Sequence, residues 1–166
     1  IEGGKDYISP FITTMFPGKT TSEYENENGR SDKNILQVVE ELEKTPRDYF
    51  LIFAHVEQDS GLWKGMDGGK LEDFSTERYE KVRKRTLAFQ KVRTRDDRDK
   101  VKQQLKGWYP AEIEGSDCKS IGDIGKGEQC FIKLGAFSFD AVKFALTDKE
   151  HRIAAKPQQH TRSYMR

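Results

Sequence analysis

No apolar run in this 166-residue chain approaches the roughly 20 residues that a membrane-spanning helix requires. The opening stretch IEGGKDYISPF has neither a basic leader nor an apolar core, so it does not read as a signal peptide. It also lacks an initiator Met, and a fragment of something longer is expected. Cysteine is scarce. Cys118 and Cys130 are too few for a disulfide framework, too far apart for a CxxC pair, and without further Cys to complete a zinc site. Two reduced thiols and a cytoplasmic location are the plain reading. The glycine signatures of nucleotide binding are missing too. No GxxxxGK[ST] and no fitting GxGxxG occur, although Gly61, Gly65, Gly68 and Gly69 make 61–69 a glycine-rich loop. No GxSxG marks a nucleophile elbow around Ser116, and Cys118 has little support as a nucleophile. Histidine is the last scarcity: the chain has three.

Charge is plentiful. Hydrophobic and charged residues each make up 34% of the chain, which describes one well-solvated domain with a modest core. Net charge is +1, but its parts are unequal. Residues 1–77 carry 8 basic against 16 acidic side chains, and residues 78–106 carry 12 against 4. An acidic stretch followed by a basic block implies an electrically polarised surface.

The patterning points to an α/β fold. Residues 1–16 read as extended or irregular and 17–31 as a polar surface loop. Ile35, Val38, Val39 and Leu42 then follow the i, i+3, i+4, i+7 spacing of an amphipathic helix, capped by Ser31 or Asp32 and stopped by Pro46. YFLIFAHV, 49–56, is a strand without alternation, as expected for burial on both faces. A short helix around Thr76–Arg83 leads to a second strand, TLAFQKV. The next helix, 94–108, has Thr94 and Asp97 near capping-box spacing and an apolar stripe of Val101, Leu105 and Trp108. AEIEG is a short strand into a loop, QCFIKLGAF another strand, and 138–148 a helix capped by Ser138 with Val142, Ala145 and Leu146 inward. Residues 151–166 show no period and read as a connector. Helices alternating with apolar strands are the rhythm of an α/β layer.

In such folds chemistry gathers where strands end and loops converge. His55 sits at the mouth of the best strand in the sequence, and imidazole serves as a metal ligand or a general base. A satisfied structural histidine is the plainer alternative. Asp117, just past the AEIEG strand, could bind a hard or borderline cation, or simply shape an Asx-turn. Glu2 beside Gly3-Gly4 carries no signal of its own. The basic block KVRKR and KVRTR, flanking TLAFQ, offers Arg83, Lys84, Arg85, Lys91 and Arg93 to nucleic-acid phosphates. Otherwise it is a solvated face, or a set of ion-pair partners for the acidic stretch.

Three segments in order, YFLIFAHVEQDSG, LAFQKVRTRD and EGSDCKSIGDIGKGEQCFIKLGAFSFDAVKFALTDKEHRI, together resemble the latter half of a PHP (polymerase and histidinol phosphatase) domain. The resemblance is to the kind fused to SMC-like ATPases of DNA repair and phage defence. It covers most of the chain from about residue 31, and the ending HTRSYMR looks like the connector into such an ATPase region. It implies a distorted (β/α) barrel, partial here, spanning 1–150 with its N-terminal part missing. It also implies two or three divalent metals (Mn, Zn or Fe) at the C-terminal strand ends and phosphoester hydrolysis by metal-bound hydroxide. His55 matches a family histidine ligand and Asp117 the aspartate of the late Ser-Asp-Ala-His motif. Glu2 corresponds loosely to a mid-domain Gly-x-Glu glutamate, and no catalytic residue is assigned. Lys119 stands where that motif has its histidine, and an ammonium offers a metal no lone pair. The opening His-x-His motif is also missing. The expected function is therefore a metal-dependent phosphoesterase or nuclease-type domain of a DNA-processing ATPase, with nucleic acid and the ATPase region as partners and no membrane. The alternatives are a catalytically degenerate scaffold, with Lys119 paired to Asp117 in place of a metal, and a nucleic-acid-binding α/β domain. A partial barrel leaves an open sheet edge, which calls for a partner segment or a second chain.

Overall fold

The computed structural model describes residues 1–24, 31–56, 61–62, 71–92, 95–115, 118 and 120–156, the side chains of 95–97 excepted. The chain opens with a helix, α1 (Lys5–Met15), where extended or irregular chain was expected. Two features mislead a sequence reading. Pro10 lies inside the helix, and Gly4, with φ 71, is the flanking residue that turns the chain into it. Thr13 and Thr14 donate their hydroxyls to the carbonyls of Ser9 and Pro10. Met15 is buried. A short α2 (Thr21–Tyr24) stacks Tyr24 on Phe16 at 5.2 Å.

Helix α3 (Ile35–Glu43) follows the expected apolar spacing and buries Val39 and Leu42. Its cap is Asn34, not Ser31 or Asp32. Asn34 Oδ1 accepts from the Leu36 and Gln37 amides at 3.1 Å, and Gln37 Oε1 accepts from the Asn34 amide at 2.9 Å, a reciprocal capping box. Ser31 is engaged elsewhere, donating to the Met15 carbonyl at 2.7 Å.

Three strands follow, each separated from the next by helix. They are β1 (Leu51–Phe53), β2 (Thr86–Gln90) and β3 (Ala111–Ile113). Two 3-10 turns (Leu71–Ser75, Glu77–Tyr79) and α4 (Glu80–Arg85) precede β2, and α5 (Arg95–Gln104) connects β2 to β3. The strands form one parallel sheet in the order β1-β2-β3. Ala88 lies opposite Ile52 on one side and Ala111 on the other, and a register irregularity falls between Leu51 and Ile52. The sheet's C-terminal ends therefore emerge together. Beyond it, β4 (Phe131–Ile132) pairs antiparallel with β5 (Ile153–Ala154), bracketing α6 (Phe139–Thr147) and α7 (Lys149–Arg152). The segment from 151, read as a connector, thus begins with part of α7 and the strand β5. Ser138 caps α6 as expected, accepting from the Ala141 amide at 3.2 Å.

The two sheet faces are packed differently. On one, Phe53, Phe89, Phe74, Tyr79 and Trp108 join Val82, Val101 and Leu105. Phe89 meets Tyr109 edge-on at 5.5 Å and 90°, a geometry that aromatic quadrupoles favour. On the other face, Ala88 and Ala111 let Leu146 and Val142 of α6 approach the backbone closely. This face is incompletely covered. Ile52, expected to be buried, is 43% exposed. The described residues make a mixed α/β fold with a small parallel sheet; they do not close a barrel.

Candidate functional site at the C-terminal strand ends

His55 leaves β1 two residues past its end and is half-buried. Its φ is 51, in the left-handed region, where a Cβ crowds the following carbonyl at a cost of about 1–2 kcal/mol. Two neighbours hold it there. Its amide donates to Gln90 Oε1 at 3.2 Å. Gln90 is the last residue of β2, the central strand, so the bond ties the β1 loop to the middle of the sheet. On the other side, Gly61 lies so close that a Cβ there would run into the His55 carbonyl. Gln90 in turn lies beside Gly115, just past β3, where a Cβ would come within 3.1 Å of Gln90 Nε2. One amide side chain therefore touches the loops that leave both flanking strands.

Beside Gln90, Lys91 extends the β2–β3 ladder by donating its amide to the Ile113 carbonyl at 2.8 Å. Its ammonium lies 3.0 Å from Glu114 Oε1 and 3.9 Å from Glu128 Oε2. The Glu114 side chain is 5% exposed, and the cost of withdrawing a carboxylate from water is offset by such a partner. The Glu114 amide donates to Cys130 Sγ at 3.4 Å. Glu114, Gly125, Gly127, Glu128, Gln129 and Cys130 line an open cavity of about 260 Å³. None of Gln90, Glu114 and Cys130 stands out as a site residue in the sequence. The only signal is position, at or just past a strand's carboxyl end for the first two.

Of the metal-ligand candidates, His55 lies on this edge. Asp117, like Lys119, falls outside the described residues; Gly115 and Cys118 flank it, and Cys118 is exposed. Glu2 is not brought here. Its amide donates to the Asp48 carbonyl at 2.8 Å, and Asp48 precedes β1, so Glu2 lies at the other end of the strand from His55. Among the described residues no three His, Cys, Asp or Glu side chains are grouped closely enough to hold an ion. These residues therefore fit a metal only as one neutral nitrogen donor, His55.

The basic block is mostly engaged within the protein. Arg83 donates to the carbonyls of Phe74 and Thr76, fastening the 3-10 turns to α4. Arg85 bridges Glu43 and Asp48, each at 3.0 Å, and its guanidinium lies 4.4 Å from the Tyr49 ring centre. Lys143 reaches Asp48 from α6. The Lys143 hydrogen bond, helped by the Tyr49 amide and Arg85, holds the Asp48 carboxyl below the usual aspartate range. The hydrogen bond from the Tyr49 hydroxyl does the same for Glu43, while burial and Glu43 push the Tyr49 phenol well up. Lys84 stays 72% exposed, 2.6 Å from Glu80. Lys91 belongs to the site just described, and Arg93 lies outside the described residues.

Comparison with protein-family models, with curated proteins and with solved structures returned no match. Among the described residues no helix is long and apolar enough to cross a membrane.

Proposed function

We propose that the chain is the latter part of a PHP-type, metal-dependent phosphoesterase or nuclease module, acting in a cytoplasmic DNA-processing protein beside an ATPase region. The observation that carries this reading is the shared edge. His55 and the loop entered at Gly115, which runs on to Asp117, meet the same Gln90 side chain at the C-terminal end of a parallel sheet. That is where α/β folds assemble phosphate chemistry. His55 would contribute a neutral imidazole nitrogen and Asp117 a carboxylate, a donor set suited to Mn, Zn or Fe. A divalent ion there would supply an acidified water and neutralise phosphoryl charge. Gln90 fixes the loop that carries His55, and Lys91 pairs with Glu114 at the rim. Lys84, whose side chain is 72% exposed, is the candidate of this block best placed to meet a nucleic-acid backbone.

One observation favours the alternative, a scaffold that keeps the shape of a hydrolase without its chemistry. The most buried carboxylate on this edge, Glu114, is answered by a lysine. Elemental mass spectrometry of the purified protein separates the two, with wild type beside His55→Ala and Asp117→Ala. The enzyme reading expects bound Mn, Zn or Fe that falls in both variants. A wild type that takes up no metal on reconstitution, with both variants folded, overturns it in favour of the scaffold.

A further inference from the structure

Resting on that reading, we propose that Gln90 is the positioning residue of the site, holding the His55 imidazole in place through the backbone that carries it. A left-handed histidine persists only where its surroundings over-determine it. Here each side of the His55 residue is occupied: Gln90 Oε1 receives its amide, and Gly61 lies against its carbonyl. Turning the φ of His55 back to an ordinary value rotates the amide away from Gln90 and swings the side chain off its present direction. The Gln90 carboxamide is itself oriented. Its oxygen faces His55, and its nitrogen side faces Gly115, where even a methyl group would press on it at 3.1 Å. Gln90 is anchored by the most paired strand of the sheet, with β1 on one side and β3 on the other. Gln90 thus lies between the backbone of His55 past β1 and Gly115 past β3.

The role separates from mere packing by its dependence on an acceptor oxygen. Gln90→Leu keeps the side-chain bulk and removes the acceptor, whereas Gln90→Glu retains one. The first readout is the backbone amide and ring resonances of His55 in the full chain, with hydrogen exchange at that amide. Gln90→Leu is expected to shift these resonances and speed the exchange about tenfold, the loss of one protecting hydrogen bond. Gln90→Glu should restore most of the protection, and Gly115→Ala should perturb the same resonances from the other side. The second readout is Mn(II) affinity by titration calorimetry. Gln90→Leu should weaken it about tenfold, since the backbone carrying the imidazole is no longer fixed, with Gln90→Glu weakened less. Unchanged His55 resonances in Gln90→Leu, or equal perturbation by Leu and Glu, overturn the inference. So does Mn(II) binding that is lost in His55→Ala yet unaltered in Gln90→Leu. A wild type that binds no Mn(II) instead removes the phosphoesterase reading, and the His55 resonances then decide the positioning role by themselves.

Discussion

The two ends of the parallel sheet are built on different physics. At the N-terminal end, Asp48 just ahead of β1 receives Arg85 from the end of α4 and Lys143 from α6, so one carboxylate joins the helical layers on both faces of the sheet. Glu43 and Tyr49 extend the cluster. Asp48 and Glu43 are matched there by Arg85 and Lys143. At the C-terminal end, the central contact is a neutral hydrogen bond from a strained histidine to an amide, with Gly61 packed too close to the His55 carbonyl for a side chain and Gly115 beside the amide. The first arrangement lowers the free energy of the fold. The second spends some of that stability on holding one histidine in a backbone conformation it would not adopt alone. The charge cluster and the strained histidine thus lie at opposite ends of the strand axis.

The largest way to break that division is at Asp48. Asp48→Ala leaves Lys143 and Arg85, each about a third exposed, short of an acceptor. The expected loss is about 2 kcal/mol, between the values for solvated and for buried ion pairs. It should appear as a lower urea midpoint, with the His55 resonances unmoved. A loss too small to measure would mean that solvent screens the cluster. Acid should act in the same direction. Because the folded carboxyl titrates below its unfolded value, Asp48 contributes its full stabilisation above the unfolded pKa, about 3.9, and loses it as pH falls through the lowered folded value. Wild type should therefore lose more stability than Asp48→Asn as pH drops below about 4.

Much of this division can be read from the sequence, and its limits have physical causes. The α3 helix, the three apolar strands and the place of His55 at a strand mouth follow from periodicity and composition, because burial selects side chains at the spacing each element presents. The α1 helix does not, because Pro10 and Gly3-Gly4 carry the local signature of a break. The Asn34 cap is missed because Ser31 and Asp32 are equally good candidates by type, and only the fold sends the Ser31 hydroxyl to Met15. The exposure of Ile52 is hidden for a related reason: an apolar run does not tell an edge strand from a central one. Gln90 is the deepest miss. A lone amide ending TLAFQ gains its meaning from the parallel pairing that lays β1 and β3 on either side of it, and pairing is not a property of any local window.

Releasing the strained end sharpens the comparison with an effect of opposite sign. His55→Gly removes the Cβ that makes φ 51 costly, while adding backbone entropy to the unfolded chain. With about 1–2 kcal/mol relieved and about 0.5–1 kcal/mol lost, a net gain of up to about 1.5 kcal/mol is expected. His55→Ala keeps the Cβ and should show no such gain. If both variants bind no metal and only the glycine variant is more stable, then strain and site coincide at one residue. Equal stabilities would place the strain elsewhere.

The smallest expected effect lies away from both ends, at Lys84. Its ion pair with Glu80 joins two side chains that are 72% and 47% exposed, one helical turn apart. Pairs of this kind contribute about 0.3–0.5 kcal/mol at low salt and less as salt rises. Lys84→Ala should therefore leave the urea midpoint almost unchanged, whereas Arg83→Ala should lower it visibly, because the carbonyls of Phe74 and Thr76 lose their donor. Nucleic-acid binding should reverse the ranking. If the exposed lysine meets a phosphate, its removal lowers the slope of log affinity against log salt by about 1, while the internally bonded Arg83 changes it little. A slope that follows Arg83 instead would mean that the arginine leaves its carbonyl partners to bind, and a slope indifferent to both would leave this face to the solvent.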